Sequence, residues 1–375
     1  MDFMDYYITD YKTTNVNATA LEDSIMHKGH PVTAGSKILE NFISPFSATV
    51  ITRLPDNGIA IAGKTKMDEF GIDMLFNNTV SGKEPPAGGL DRASGAVRAV
   101  ADKAVLYTLC NDVFGRYRRE APEHGLCYIH PTYGTVSRFG LIPLVSSMDQ
   151  IGIVCRNADD GFGLLSLIAG NDPNDGAMFK EKKYRYEKYD KKLCAAVPDI
   201  CDIPAIHDFA ARFNKVRVHL EHFEVYKQLM YILCAAEISA NISRYDGIKF
   251  GYRAEGYKNL EELYTKTRTE GFGLQTKLAA IAGSMVLSQD HYAPYYQKAM
   301  KIRRLIKESL VFDTYDVIVL PLTISKDPYE NLSLYALAPL AGLPSITFSH
   351  NGTGIQLVAD VKNENALYTA WEAVQ

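Results

Sequence analysis

The pattern of apolar positions is clearest between Pro86 and Glu120. A Pro/Gly turn opens this stretch, and a second loop over Asn111 to Arg119 closes it. Between the loops, the apolar positions follow the i, i+3, i+4 spacing of a helix with one buried face, at Val97, Val100, Ala101, Ala104, Val105 and Leu109. We therefore predict a helix that holds the two loops at fixed positions.

Other segments predict an alternation of strands and helices. The first thirty residues are polar and are predicted to be irregular. Continuous or alternating apolar runs predict strands, and 3.6-residue periodicity with capping residues predicts helices. The predicted strands are Asn57 to Gly63, which leads to Lys64, Val216 to Leu220, Asp313 to Thr323 and two more after Ala341; the predicted helices are one capped by Asn157 and followed by Gly170, Tyr226 to Ile242 and a closing helix with Trp371. This alternation predicts an α/β fold with a mixed sheet covered by helices on both faces.

Composition bounds the class of protein. The 375 residues are 47% hydrophobic, which is enough for a large core, and the formal net charge of −4 gives no global attraction for nucleic acid. No signal peptide and no apolar run of membrane-spanning length is visible. The cysteines form no CxxC pair or regular framework, which favours reduced thiols in the cytoplasm: Cys110, Cys127, Cys155, Cys194, Cys201 and Cys234.

Two long motifs resemble those of a known family. Residues 63–71 read GKTKMDEFG and residues 130–152 read HPTYGTVSRFGLIPLVSSMDQIG. They resemble the lysine motif and the central signature of the amidase-signature hydrolases, most closely the A subunit of the tRNA-dependent glutamine amidotransferase (glutamyl-tRNA(Gln)/aspartyl-tRNA(Asn)). Further similar motifs extend over nearly the whole chain. The resemblance implies a single amidase-like domain over residues 1–375, shortened at both ends, with residues 1–30 irregular.

The resemblance also implies an amide-cleaving triad of a nucleophilic serine, a bridging serine and a neutral lysine. Lys64 matches the lysine, whereas Leu90 stands in place of the bridging serine. The nucleophile position falls on Phe114 when counted forward and on Arg116 when counted backward from the central signature. None of these replacements can attack a carbonyl, because Leu and Phe carry no nucleophilic atom and the guanidinium of Arg stays protonated. We therefore predict a pseudoenzyme with Lys64 as a vestigial base.

Several alternatives remain open at this stage. Cys110 is a possible nucleophile, although a cysteine at an apolar position is more often a small buried hydrophobe. Ser94 is another, although its place before the predicted helix suits an N-cap. The protein is also compatible with a binding module for a small amide or amino acid, or with an A subunit that is active in an unrecognised way.

Substrate and partner predictions follow from the same resemblance. Arg303 matches an arginine that holds the substrate carboxylate, but Leu332 falls where an acid is expected. The family implies a complex with a B-like or C-like subunit in translation, contact with tRNA only through that partner, and a cytoplasmic location. We predict no cofactor, no metal and no membrane association. The basic, tyrosine-containing segment Lys180 to Lys192 is more typical of a solvated surface than of an RNA site.

Overall fold

The strands of the chain form one sheet in the computed structural model, which describes residues 6–15, 17–74 and 93–373. This 11-stranded sheet has the order β1-β3-β2-β4-β6-β5-β10-β11-β9-β7-β8. The strands are β1 (Tyr7–Asp10), β2 (Ala18–Glu22), β3 (Ala60–Thr65), β4 (Tyr107–Asn111), β5 (Cys127–His130), β6 (Ile151–Cys155), β7 (Cys194–Pro198), β8 (Asn214–Val218), β9 (Val317–Pro321), β10 (Ser345–His350) and β11 (Thr353–Ala359). Strand β2 pairs in parallel with β3 and β4, and β7 pairs in parallel with β8 and β9, whereas the remaining pairings are antiparallel.

Helices connect and cover these strands. They are α1 (Thr49–Thr52), α2 (Gly95–Ala101), α3 (Arg116–Glu123), α4 (Ala158–Ile168), α5 (Pro204–Ala210), α6 (Tyr226–Ile242), α7 (Leu260–Gly271), α8 (Leu274–Val286), α9 (Gln289–His291), α10 (Lys298–Ser309), α11 (Pro328–Ala341) and α12 (Glu364–Glu372). A π-helical turn, Tyr292–Gln297, joins α9 to α10. None of the helices in the described part of the chain combines the length and hydrophobicity needed to span a membrane.

Both faces of the sheet are buried, and this confirms the predicted fold class. Successive strand residues point to opposite faces, and accordingly they belong to two separate apolar clusters. Leu109, Ile129 and Ile153 lie in the large cluster that includes α4 and α6. Cys110, Tyr128 and Val154 lie in a smaller cluster under α2 and α3.

The helix predicted from Gly95 to Leu109 is too long. It ends at Ala101, where Asp102 caps it and Lys103 adopts a left-handed conformation with φ 61°. The chain then returns as β4, in which Leu109 pairs with Leu21 on one side and Ile153 on the other. A strand buried on both faces has no polar alternation, so its apolar residues extended the helical pattern by coincidence. The predicted loop over Asn111 to Arg119 is likewise partly helical, because α3 begins at Arg116.

The prediction that residues 1–30 are irregular is also wrong for the described residues. β1 and β2 lie in this segment, and all five residues of β2 are buried. The residues ATALE did not predict a strand because Thr and Glu occupy buried positions. The predictions for Tyr226–Ile242 and for the closing helix are confirmed. The strand predicted from Asn57 to Gly63 is present but begins at Ala60 and continues through Lys64 to Thr65.

Candidate functional site

The candidate site lies where three parallel strands end. β2, β3 and β4 are neighbours, and their carboxyl ends carry Glu22, Thr65 and Asn111. In sheets of this type, ligands and catalytic groups collect at the carboxyl ends of parallel strands. Lys64 is opposite Leu21 in the parallel register, one position before this edge.

The side chain of Lys64 is fully buried and contacts two groups of the chain itself. Its Nζ donates to the carbonyl oxygen of Ile25 at 2.5 Å. The same atom lies 3.3 Å from Oδ1 of Asp23, whose other oxygen accepts hydrogen bonds from Thr33. Burial lowers the pKa of Lys64, and the Asp23 carboxylate opposes that shift. These two contacts tie Lys64 to the turn that follows β2.

Glu22 is a fully buried acid of this site, and it was not predicted from the sequence. One carboxyl oxygen accepts from the Ser24 hydroxyl at 2.6 Å and from the Asn111 N–H at 2.9 Å. The other accepts from the Tyr117 hydroxyl at 2.5 Å. Burial raises the pKa of Glu22 to about 7, against the lowering effect of these three hydrogen bonds. Glu22 is thus a group whose charge changes near neutral pH.

Arg116, one of the two positions predicted to replace the nucleophile, lies in an acidic cluster. It is the first residue of α3 and is almost buried. Its Nε donates to Glu120 at 2.9 Å, and its Nη1 contacts Asp68. Glu120 also accepts from the backbone N–H of Ser94 at 2.8 Å, so the arginine links the starts of α2 and α3.

Phe114, the other predicted position, is 1% exposed and packs in the main core. The following residue, Gly115, has φ 85°, and a Cβ there would lie 2.4 Å from the ring of Tyr335. Only glycine fits this approach. The loop before α3 therefore turns Phe114 into the core and leaves Arg116 on the helix, and neither side chain carries a hydroxyl or thiol.

Arg118 and Asp112 hold this loop in place. Arg118 is fully buried, and its Nε lies 3.2 Å from Oδ2 of Asp112. Its other nitrogens donate to three backbone carbonyls, of which Tyr335 is the nearest at 2.6 Å. Asp112 in turn accepts from the N–H groups of Gly115 and Arg118. This buried pair fixes the connection from β4 to α3.

The alternative nucleophiles have structural positions. Ser94 is the N-cap of α2, and its Oγ accepts from the N–H of Val97. Cys110 is fully buried in β4, and burial raises the pKa of its thiol well above the usual value, as do the nearby carboxylates of Glu22 and Asp112. A thiol with a raised pKa is a poor source of the reactive thiolate. Leu90 lies outside the described residues.

Arg303, predicted to bind substrate, contacts groups of the chain itself. Its Nε donates to the carbonyl of Leu340 at 2.7 Å, its Nη1 to the hydroxyl of Ser147 at 2.8 Å, and its Nη2 to the carbonyls of Ser147 and Pro339. None of these partners contacts Lys64. Leu332, the position where an acid was expected, is fully buried in α11.

We expect Arg303→Met to destabilise the fold by about 1–3 kcal/mol, because three carbonyls and a hydroxyl lose their charged donor. Denaturant unfolding of the purified variant measures this. A matched control is Arg304→Met on the same helix, whose exposed side chain pairs with Glu308. Equal stability of the two variants would contradict the structural role.

The sequence identified Lys64 but missed the residues that surround it. Glu22 and Asp23 are consecutive, whereas Asn111 and Asp149 come from two later segments, and Asn111 donates to Asp149 at 2.8 Å. The signal available in the sequence for Glu22 was an acidic residue at the end of the mostly apolar segment ATALE. Within the described ranges, no group of three or more His, Cys, Asp or Glu side chains is placed to hold a metal ion.

Comparison with known proteins identifies the family. The family model described as Amidase matches residues 18–199 and 209–345, which include the whole candidate site. The chain belongs to the amidase family.

Its relatives within this family are similar over most of their length. The glutamyl-tRNA(Gln) amidotransferase A subunit of Lachnoclostridium phytofermentans is 36% identical over 367 residues, covering 88% of this chain and 74% of the relative. The same subunit of Macrococcus caseolyticus is 36% identical, covering 93% and 81%. Among solved structures, the A subunit from Thermotoga maritima has a TM-score of 0.74 at 25% identity and covers 98% of this chain and 86% of its own. This amidase-family chain is therefore similar to amidotransferase A subunits.

Proposed function

We propose that this member of the amidase family is a non-hydrolytic relative of the amidotransferase A subunit that serves as a structural or regulatory partner in an amidotransferase-type complex. The observation that supports the proposal is the pair of groups that contact Nζ of Lys64. Within the described residues it bonds to the carbonyl of Ile25 and pairs with Asp23, and no hydroxyl or thiol shares a hydrogen bond with it. A serine nucleophile needs a base within that reach.

The groups near the start of α3 support the same proposal. Arg116 contacts Glu120 and Asp68, and Phe114 packs in the core. A bound acyl group would need a nucleophile and donors aimed at its oxygen. At these positions the chain instead carries a charged pair and an apolar ring. We infer that Lys64 is a vestigial base whose contacts now stabilise the fold.

The partner is inferred from the relatives. Their names identify them as A subunits of a glutamyl-tRNA(Gln) amidotransferase. We propose that this chain, as a single amidase-like domain over residues 1–375, binds a B-like or C-like subunit of such an assembly in the cytoplasm. Contact with tRNA would be made by the partner, because the chain has a net charge of −4.

A second candidate function is an active amidotransferase A subunit. The 36% identity to the Lachnoclostridium phytofermentans protein over 88% of this chain favours it. Activity would require a hydroxyl or thiol within hydrogen-bond reach of Lys64 Nζ. Glutamine hydrolysis and labelling by a serine-reactive probe distinguish the two candidates.

We expect the purified protein to hydrolyse glutamine at the rate of a buffer blank and to remain unlabelled by a fluorophosphonate probe. The Lachnoclostridium phytofermentans protein, assayed in parallel, is the matched control. Intact-mass analysis reports any adduct, and thermal shift with glutamine reports binding without turnover. Labelling at any serine, or turnover above the blank that Lys64→Met abolishes, would favour the active candidate and contradict the proposal.

A further inference from the structure

Helix α8 has an apolar stripe on its outer face. Leu274, Leu278, Ile281 and Met285 follow the i, i+4, i+7, i+11 spacing that places side chains in one line along a helix. They are 66, 45, 68 and 48% exposed, respectively. Four large apolar side chains in a row on one helix differ from the scattered apolar residues of an ordinary surface, and such patches mark interaction sites.

The opposite face of α8 is fixed to the protein. Ala279, Gly283 and Val286 are buried, and α8 packs on α6. The contact is close, because a Cβ at Gly283 would lie 2.0 Å from the carbonyl oxygen of Ala235. A rotation that would bury the stripe is therefore blocked by the packing of this face. The stripe is a stable feature of the surface.

A groove of about 360 Å³ runs beside the stripe, between α8 and the ends of α6 and α7. Ile281 lies on its wall together with Arg268 and Lys277, and none of its lining residues is acidic. Arg268 donates to the carbonyls of Tyr245 and Ser243, and Lys277 donates to the carbonyl of Thr269. Within the described ranges, neither cation has a carboxylate partner. This part of the surface is basic although the chain has a net charge of −4.

We propose that the stripe and groove form the docking surface for an amphipathic, acidic α-helix of the partner subunit. The apolar face of that helix packs on the four stripe residues, and a carboxylate at its edge reaches Arg268 and Lys277. A helix is the fitting element because the outer face of α8 offers side chains and no free strand edge, so recognition uses helical anchor spacing. This inference rests on the proposed function for the existence of the partner and adds the place and chemistry of its binding.

Charge argues against a second copy of this chain as the occupant. Helix α8 contains Lys277 and no Asp or Glu, so packing α8 of one copy on α8 of another offers Lys277 and Arg268 no carboxylate partner from that helix. Like charges brought together in an interface are repulsive and suppress such pairing. An acidic helix has the opposite effect, because it neutralises both cations.

Ile281→Glu tests the surface. We expect this variant to bind the purified B-type and C-type subunits encoded in the same genome at least about tenfold more weakly than the wild type, because a central apolar anchor is lost and a charge is placed against the acidic helix. Leu305→Glu is the matched control, since Leu305 is 50% exposed on α10 outside the stripe. Calorimetry gives the affinity, and thermal unfolding verifies that both variants are folded.

Two further measurements test the chemistry of the partner. We expect Lys277→Met to weaken binding several-fold and to reduce its salt dependence. A photo-crosslinking residue at position 281 should attach to a partner segment that is helical and contains Asp or Glu. Attachment to a segment without acidic residues would overturn the proposed chemistry.

The outcomes separate this inference from the proposed function. If the wild type binds one of the two subunits but Ile281→Glu binds it equally well, the docking surface is wrong and the proposed function stands. If the wild type binds neither of them, the proposed partner is wrong. If the wild type forms a dimer that Ile281→Glu abolishes, the occupant is a second copy and the proposal is overturned.

Discussion

Arg118→Met is expected to lower the free energy of unfolding by about 3–5 kcal/mol, because it leaves a buried carboxylate without its charge partner. Arg118 is fully buried and lies 3.2 Å from Oδ2 of Asp112. The variant keeps most of the side-chain volume, so a loss of this size reports the charge and its hydrogen bonds. Denaturant unfolding followed by circular dichroism measures it.

Two companion variants make the result specific. Arg304→Met removes an exposed arginine paired with Glu308, and exposed pairs contribute at most about 1 kcal/mol. The double variant Arg118→Met/Asp112→Asn removes the unpaired charge. Its loss of unfolding free energy should therefore be smaller than the sum of the losses in the two single variants. If Arg118→Met is as stable as Arg304→Met, the buried pair does not hold the loop before α3.

The buried pair also explains how this loop keeps its shape. Asp112 accepts from the N–H groups of Gly115 and Arg118 while its oxygen also faces the guanidinium. Arg118 reaches across to the carbonyl of Tyr335 on α11. The connection between β4 and α3 is therefore tied to the rest of the domain by a buried ion pair and its hydrogen bonds.

Strong local patterns allowed part of the fold to be predicted from the sequence. Helix α4 was predicted because Asn157 caps it, and in the structure its side chain accepts from the N–H of Asp160 at 2.8 Å. Helix α6 was predicted from its long apolar periodicity over Tyr226–Ile242. Both signals lie within one segment and need no distant partner.

Other elements are set by distant parts of the chain. β4 is a strand because Leu109 lies between β2 and β6, although its own residues continue the helical spacing of α2. β2 contains the buried Glu22, which is stabilised by hydrogen bonds from Asn111 and Tyr117. Both of these donors come from later segments of the chain. A sequence pattern contains no information on such pairings when the partners are as far apart as Glu22 and Asn111, which are 89 residues from each other. This is why Glu22 and its partners were not predicted from the sequence.

Glu22→Gln is expected to remove a pH dependence of stability. In the unfolded chain the carboxyl releases its proton near its ordinary pKa of 4.5, whereas burial raises the folded pKa to about 7. Between these values the folded protein holds a proton that the unfolded chain has lost, so stability falls as pH rises through this window. Well above pH 7 the loss is constant at about 3.5 kcal/mol, since each pKa unit corresponds to about 1.4 kcal/mol.

Glutamine is the appropriate replacement because it resembles the protonated acid. Its oxygen can accept from Ser24 and Asn111, and its amide can donate to the Tyr117 hydroxyl as a protonated carboxyl would. Urea unfolding at about pH 5 and pH 8 should show the wild type losing about 2–3 kcal/mol relative to Glu22→Gln. Burial also raises the pKa of Asp73 to about 6, but this contribution is present in both proteins and cancels in the comparison.

Glu261→Gln, on the exposed surface of α7, is the matched control and should follow the wild type at both pH values. Parallel stability curves for the wild type and Glu22→Gln would show that Glu22 is ionised throughout. In that case a buried negative charge would lie close to Lys64, and the lysine would be held as an ammonium by two acids. The protonation of Glu22 therefore sets the charge of the site around Lys64 at neutral pH. If Glu22 is protonated, Asp23 is the carboxylate that pairs with Lys64.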